Sequence, residues 1–168
     1  TIIGTNKDAG LVVYGLDGKQ IQFLQDGKMN NVDVRYGFTL GHSAVDIVIA
    51  SNRSDDTLAV YSVDAASGTL KAAGSIKTKM KLVYGLCMYR SASDGNYYVF
   101  VTSENGEVEQ WKLKESPNAK VDGELVRSIK VGDKTEGCVA DDDAGVVFFA
   151  EEEMGIWCYG AEPNAGTE

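Results

Sequence analysis

The chain has 168 residues, of which 43% are hydrophobic and 24% charged, a composition that suits one folded domain and excludes an extended disordered polymer. With 25 acidic and 16 basic residues the formal charge is -9, which disfavours a surface that tracks a nucleic-acid backbone and is compatible with binding cations. No apolar run approaches the ~20 residues needed to span a membrane, and the opening TIIGTNK carries neither a basic leader nor a long apolar segment, so no membrane partner and no signal peptide are expected.

In chain order, Ile2 to Thr5, Leu11 to Leu16 and Lys19 to Leu24 read as short strands, the last two joined by the turn pair Asp17-Gly18. Val32 to Phe38, Val45 to Ala50 and Leu58 to Val63 follow, separated by short polar segments with too little length for helices. Val83 to Tyr89, Tyr97 to Thr102 and Glu107 to Leu113 continue the pattern, divided by Asp94-Gly95 and Asn105-Gly106, and Pro117 marks a surface loop. Leu125 to Val131, Glu136 to Ala140, Val146 to Ala150 and Gly155 to Tyr159 complete an all-β series with no long helix.

The chain also resembles itself. GLVVYGLDG, TLAVYSVDAASG, EVEQWKL and MGIWCYG fall in equivalent positions, with Tyr14, Tyr61, Trp111 and Cys158 spaced 47, 50 and 47 residues apart. A second register runs through Asp33, Tyr84 and Glu136, at intervals of 51 and 52. Such periods, with about four short strands each, fit the blades of a β-propeller, with a solenoid or a sandwich as the alternative. A ring needs about four to eight blades, and residues 1–168 supply roughly three and a half, so a single partial propeller domain with open edges is expected.

Chemistry concentrates in Thr135 to Glu153, where a β-branched strand lies between Asp141-Asp142-Asp143 and Glu151-Glu152-Glu153. Adjacent carboxylates form a solvated rim by default, and oxygen-rich clusters are also what calcium takes. Cys87, Cys138 and Cys158 show no metal-site spacing; the apolar settings of Cys87 and Cys138 favour buried free thiols over a disulfide. His42, the lone histidine, reads as a loop residue.

The segments TNKDAGLVVYGLDGK, NNVDVRYGF, ASNRSDDTLAVY, VYGLCMY, EQWKL and TEGCVADDDAG followed by AEEEMGIW, in this order across almost the whole chain, resemble the β-propeller phytases. The resemblance implies a six-bladed ring of antiparallel four-stranded blades, of which this chain is an incomplete arc. It also implies a secreted, calcium-dependent phosphomonoesterase that hydrolyses phytate, inositol hexakisphosphate, with several calcium ions gathered at one mouth of the channel. Phytate or calcium-phytate is then the substrate, and the missing blades are needed for closure.

Carried over by motif, Lys7 of TNKDAG and Arg53 of ASNRSDD fall where that family presents cations to phosphate; taken alone they read as a turn residue and a local ion-pair partner. Tyr84 of VYG, Glu136 of TEG and Glu152 of AEEE fall where it binds catalytic calcium; taken alone they read as a sheet-edge aromatic, a strand-end carboxylate and an acidic rim. Asp33, with Asn31, is expected to add oxygens at the same mouth, while Arg35 either binds phosphate or pairs with Asp33. Asp55 and Asp56 read as ligands of a stabilising calcium or as turn residues. Glu104 departs from the lysine that many of these relatives carry. A noncatalytic, calcium-supported propeller that binds a protein or a polyanion is the alternative function.

Overall fold

The computed structural model describes residues 1–167, and every regular element among them is a strand. In order these are β1 (Ile2–Asn6), β2 (Gly10–Tyr14), β3 (Gln20–Leu24), β4 (Met29–Leu40), β5 (Ser43–Asn52), β6 (Thr57–Val63), β7 (Leu70–Lys77), β8 (Val83–Arg90), β9 (Tyr97–Ser103), β10 (Glu107–Glu115), β11 (Val121–Lys130), β12 (Thr135–Asp141), β13 (Val146–Glu151) and β14 (Gly155–Gly160). The sequence pattern anticipates all of them except β7. LKAAGSIK is poor in β-branched and aromatic residues, and a bulge opposite Val60 and Tyr61 breaks its alternation, so only Leu70, Ala73 and Ile76 are buried.

Three sheets result. β1-β2-β3 and β12-β13-β14 are antiparallel three-stranded sheets, and the central sheet runs β4-β5-β6-β7-β11-β10-β9-β8. Within it, β4 to β7 and β8 to β11 are successive antiparallel meanders joined by one parallel bridge, Val121 to Gly74. The strands stand around an axis as an incomplete ring, with β4, β8 and β12 side by side and running in one direction.

Each pair of consecutive strand sets encloses one apolar core. Leu11, Val13, Met29 and Tyr61 pack between the first two sets; Ile47, Ile49, Met88, Val99 and Trp111 between the second and third; Tyr89, Phe100, Phe149 and Tyr159 between the third and last. Strands with neighbours on both faces are apolar throughout, which is why β9 is buried at every residue. At the two ends Ile2, Ile21, Ile156 and Trp157 are exposed, because nothing packs on the outer face of the terminal sheets.

The sets are stitched by side-chain hydroxyls at matching positions. Ser51 Oγ accepts from Asn31 N and donates to Tyr84 O; Thr102 Oγ1 accepts from Gly85 N and donates to Thr135 O. Gly85 is required where β8 meets β12, since a Cβ there would lie 1.8 Å from Glu136 O. Cys87 and Cys138 form a disulfide with Cα atoms 5.3 Å apart, correcting the expectation of two free thiols: β8 and β12 are adjacent in space although 51 residues separate the two cysteines. Cys158 is free and exposed.

Candidate functional site

Lys7, Arg53, Glu104 and Glu152 occupy one structural position. Each is the first residue after a strand, following β1, β5, β9 and β13 respectively, so consecutive strand sets place their side chains around one mouth of the ring. The inner strands complete it. β4, β8 and β12 each begin with an irregular pairing that leaves Asn30-Asn31, Tyr84-Gly85 and Glu136 outside the ladder, and such bulges re-aim side chains toward the rim. The residue matching Tyr84 and Glu136 is therefore Asn30, where the sequence register placed Asp33; β4, at 12 residues against 8 for β8 and 7 for β12, breaks the even count.

Three cations surround Tyr84. Lys7 Nζ, Arg53 Cζ and Lys134 Nζ lie 5.7, 5.4 and 5.0 Å from its ring centroid, and the ring's negative faces favour positive charge. Each cation also has a carboxylate partner: Lys7 to Glu136 at 2.8 Å, Arg53 to Glu104 at 3.0 Å and Lys134 to Glu152 at 3.0 Å. All six charged groups remain half-exposed, so these pairs contribute little to stability and exchange readily for a stronger ligand.

Glu136 is the most constrained of the acids. Burial works to raise its pKa, but hydrogen bonds from Lys7, Asn30 and Tyr84 prevail and hold the carboxyl below the ordinary glutamate value. For Lys134 the hydrogen bond to Glu152 is the chief influence, reinforced by Tyr84, and it holds the ammonium above the usual lysine range. Beside Glu136, Asn30 is 3% exposed and its Oδ1 has no hydrogen-bond partner, while its amide nitrogen serves Asn31 and Glu136.

Of the residues singled out from the sequence, Lys7, Arg53, Tyr84, Glu136 and Glu152 meet at this mouth; three others do not join their network. Asp33 lies further along β4, where both its oxygens pair with Arg35 and one accepts from Met88 N. Arg35 also bonds Asp142 through two nitrogens, and the Val34 and Met88 carbonyls, so it latches β4, β8 and the β12–β13 turn at the opposite end. Asp55 accepts from Thr57 within the β5–β6 turn. Asp56, at φ 53°, accepts from Val83 N and pairs with Lys81 at 3.4 Å. Asp56 also lines a cleft of about 280 Å³ with Lys7, Lys28, Arg53 and Glu104. The larger cleft, of about 640 Å³, belongs to the opposite end, beside Arg35 and Asp141 to Asp143.

Sequence reasoning missed Asn30 and Lys134, and left Glu104 without a partner. The available signal was the repeat itself: aligning the first loop residues in register predicts Arg53 next to Glu104, whereas Lys134 sits before a strand and carries no motif.

Calcium fits these residues in kind. Glu136, Glu152, Tyr84 and the orphaned Asn30 Oδ1 are all hard oxygen donors, the type calcium selects. Among the described residues no three His, Cys, Asp or Glu side chains group into a metal cage.

Known proteins share this chain's pattern. It is 43% identical to the 3-phytase of Bacillus subtilis (strain 168) over 99% of its own length, and spans 45% of that protein's length. A functionally unknown protein from Desulfotomaculum acetoxidans DSM 771 has the same fold, with a TM-score of 0.67 at 15% identity over 94% of this chain and 46% of the other. The chain thus spans about half the length of the proteins it matches. The model of the phytase family matches residues 1–168 from end to end, and the chain belongs to that family.

Proposed function

We propose that this chain supplies half of the active mouth of a calcium-dependent phosphomonoesterase that hydrolyses phytate to lower inositol phosphates and phosphate. Its β4–β7 and β8–β11 meanders are two four-stranded blades of a six-bladed ring, and the terminal sheets are parts of two more, with the remainder supplied by the rest of a longer protein. One observation carries the proposal: three cations drawn from separate strand sets converge on Tyr84 and are interleaved with carboxylates. A cluster of fixed positive charge suits a polyphosphorylated ligand, and the carboxylates between suit the cation that accompanies it.

In this scheme Glu136, Glu152, Tyr84 and Asn30 would hold calcium, which would supply positive charge to offset that of phosphate and to activate water. Arg53 presents a planar fork and Lys7 a compact charge to phosphoryl oxygens, and both are preplaced by the aromatic ring between them. Tyr84 gathers Lys7, Arg53 and Lys134 round its ring, which keeps the three cations close to one another. Homology to the Bacillus 3-phytase supports the substrate, and the disulfide is in keeping with an extracellular setting.

The test is phosphate release from phytate by the full-length protein, with and without calcium, for the parent, Glu136→Gln and Arg53→Ala. The expected result is calcium-dependent release, lowered at least ~100-fold in each variant with the melting temperature preserved. A folded, calcium-loaded full-length protein that binds phytate and releases no phosphate is a binding protein, and the catalytic assignment then fails.

A further inference from the structure

The connection between β11 and β12 is built to hold one lysine at the mouth. Glu151, 6% exposed, turns its carboxylate inward, accepting from Asp133 N at 3.0 Å and from Trp157 Nε1 at 2.6 Å. Gly132, at φ 150°, lets the chain pass: a Cβ there would lie 2.6 Å from Glu151 Oε1. Thr135 Oγ1 closes the turn by donating to Asp133 O, and Glu152 N donates to Lys134 O at 3.0 Å. A buried carboxylate is therefore spent on fixing the backbone of a four-residue connection, Val131 to Lys134, whose only long side chain at the mouth is Lys134.

The same backbone bond recurs in the other strand sets. Arg53 N donates to Lys28 O and Glu104 N to Leu82 O, so Lys28, Leu82 and Lys134 share one position, immediately before or near an inner strand. Lys28 lines the cleft with Lys7 and Arg53. Two of the three positions thus carry lysine, and Lys134 is the one whose ammonium reaches Tyr84, nearer to the ring centroid than Lys7 or Arg53.

From this geometry we infer that Lys134 is a further phosphate-binding residue of the mouth, taking one phosphate monoester group of a ligand that carries several. The inference deepens the proposed function and rests on it for the class of ligand. Lys134 is paired with Glu152 in much the way that Lys7 is paired with Glu136, so both lysines become available together when their carboxylates take up a cation. Arg53 is paired with Glu104, which is no part of that carboxylate set, so Lys134 is the second cation whose release is tied to cation uptake by its carboxylate.

The test compares parent, Lys134→Gln and Lys134→Arg in the full-length, calcium-loaded protein. Binding of myo-inositol hexasulfate, a non-hydrolysable polyanion of the same ring, is measured by calorimetry, alongside KM and kcat for phytate. Lys134→Gln is expected to weaken hexasulfate binding about ten-fold and to raise KM more than it lowers kcat, with Lys134→Arg recovering most of the affinity. Unchanged hexasulfate affinity in Lys134→Gln overturns the inference. So does an equal loss in both variants accompanied by a lower melting temperature, which marks a merely structural lysine. If the parent releases no phosphate from phytate, the proposed reaction fails, while the hexasulfate comparison still decides whether Lys134 binds the anion.

Discussion

Tyr84 is 8% exposed, yet it meets three cations and a carboxylate, so a single side chain couples the apolar interior to the charged mouth. Glu136 is the acid most tightly drawn into that arrangement, and its titration reports it. Because its folded pKa is lowered, the interaction favours the folded state at pH values above the ordinary glutamate pKa and is lost as pH falls through the lower, folded value. Carboxyl carbon NMR is expected to show Glu136 titrating below a typical glutamate, and Lys7→Met should move it back upward; a midpoint at or above the usual value contradicts the hydrogen-bond set. At this scale the sequence was half legible. Lys7, Arg53, Tyr84, Glu136 and Glu152 were visible as motif residues, but the register counted to Asp33 falls on Asn30 in the structure, because β4 is longer than β8 and β12. Lys134 was invisible, because only the folded β11–β12 connection brings it to Tyr84.

Between elements, two hydroxyls and one disulfide hold the inner strands together. Thr102 is fully buried and its Oγ1 bridges Gly85 N and Thr135 O, joining β9 to both β8 and β12. Thr102→Val keeps the shape and orphans two backbone groups, so it is expected to cost about 2 kcal/mol, read from the denaturation midpoint of the full-length protein. A cost within error would mean that those groups find other partners. Cys87–Cys138 closes a loop between β8 and β12, the strands that carry Tyr84 and Glu136. Reduction, or the double substitution to serine, should lower stability by about 2–4 kcal/mol in the same measurement. The sequence foretold the strands but not this link, since the two cysteines become neighbours only when the chain has travelled round one strand set. β7 escaped notice for the opposite reason: its place is secured by pairing with β6, against a composition that is weakly strand-forming.

Across the whole molecule, the cores lie between strand sets, so each set depends on the next for burial. The two end sheets lack such a neighbour on one side, and Ile2, Ile21, Met154, Ile156 and Trp157 remain exposed there. Residues 1–168 produced alone are therefore expected to self-associate in sedimentation experiments, whereas the full-length protein is not; a stable, monodisperse monomer of the short chain would show that these edges are tolerated. The mouth follows the same logic, since its charged groups are drawn from all four strand sets.

The sequence by itself determined the all-β class, the repeat of about fifty residues and the family, because alternation, turn chemistry and motif order are local properties that survive without a fold. Only the tertiary structure decided which residues meet. The pairing of Lys7 with Glu136, Arg53 with Glu104 and Lys134 with Glu152 joins positions up to 129 residues apart, through bulges that shift the register and a ring that sets the spacing. Neither the bulge nor the ring's curvature is written in any one segment; both arise from packing one strand set against the next.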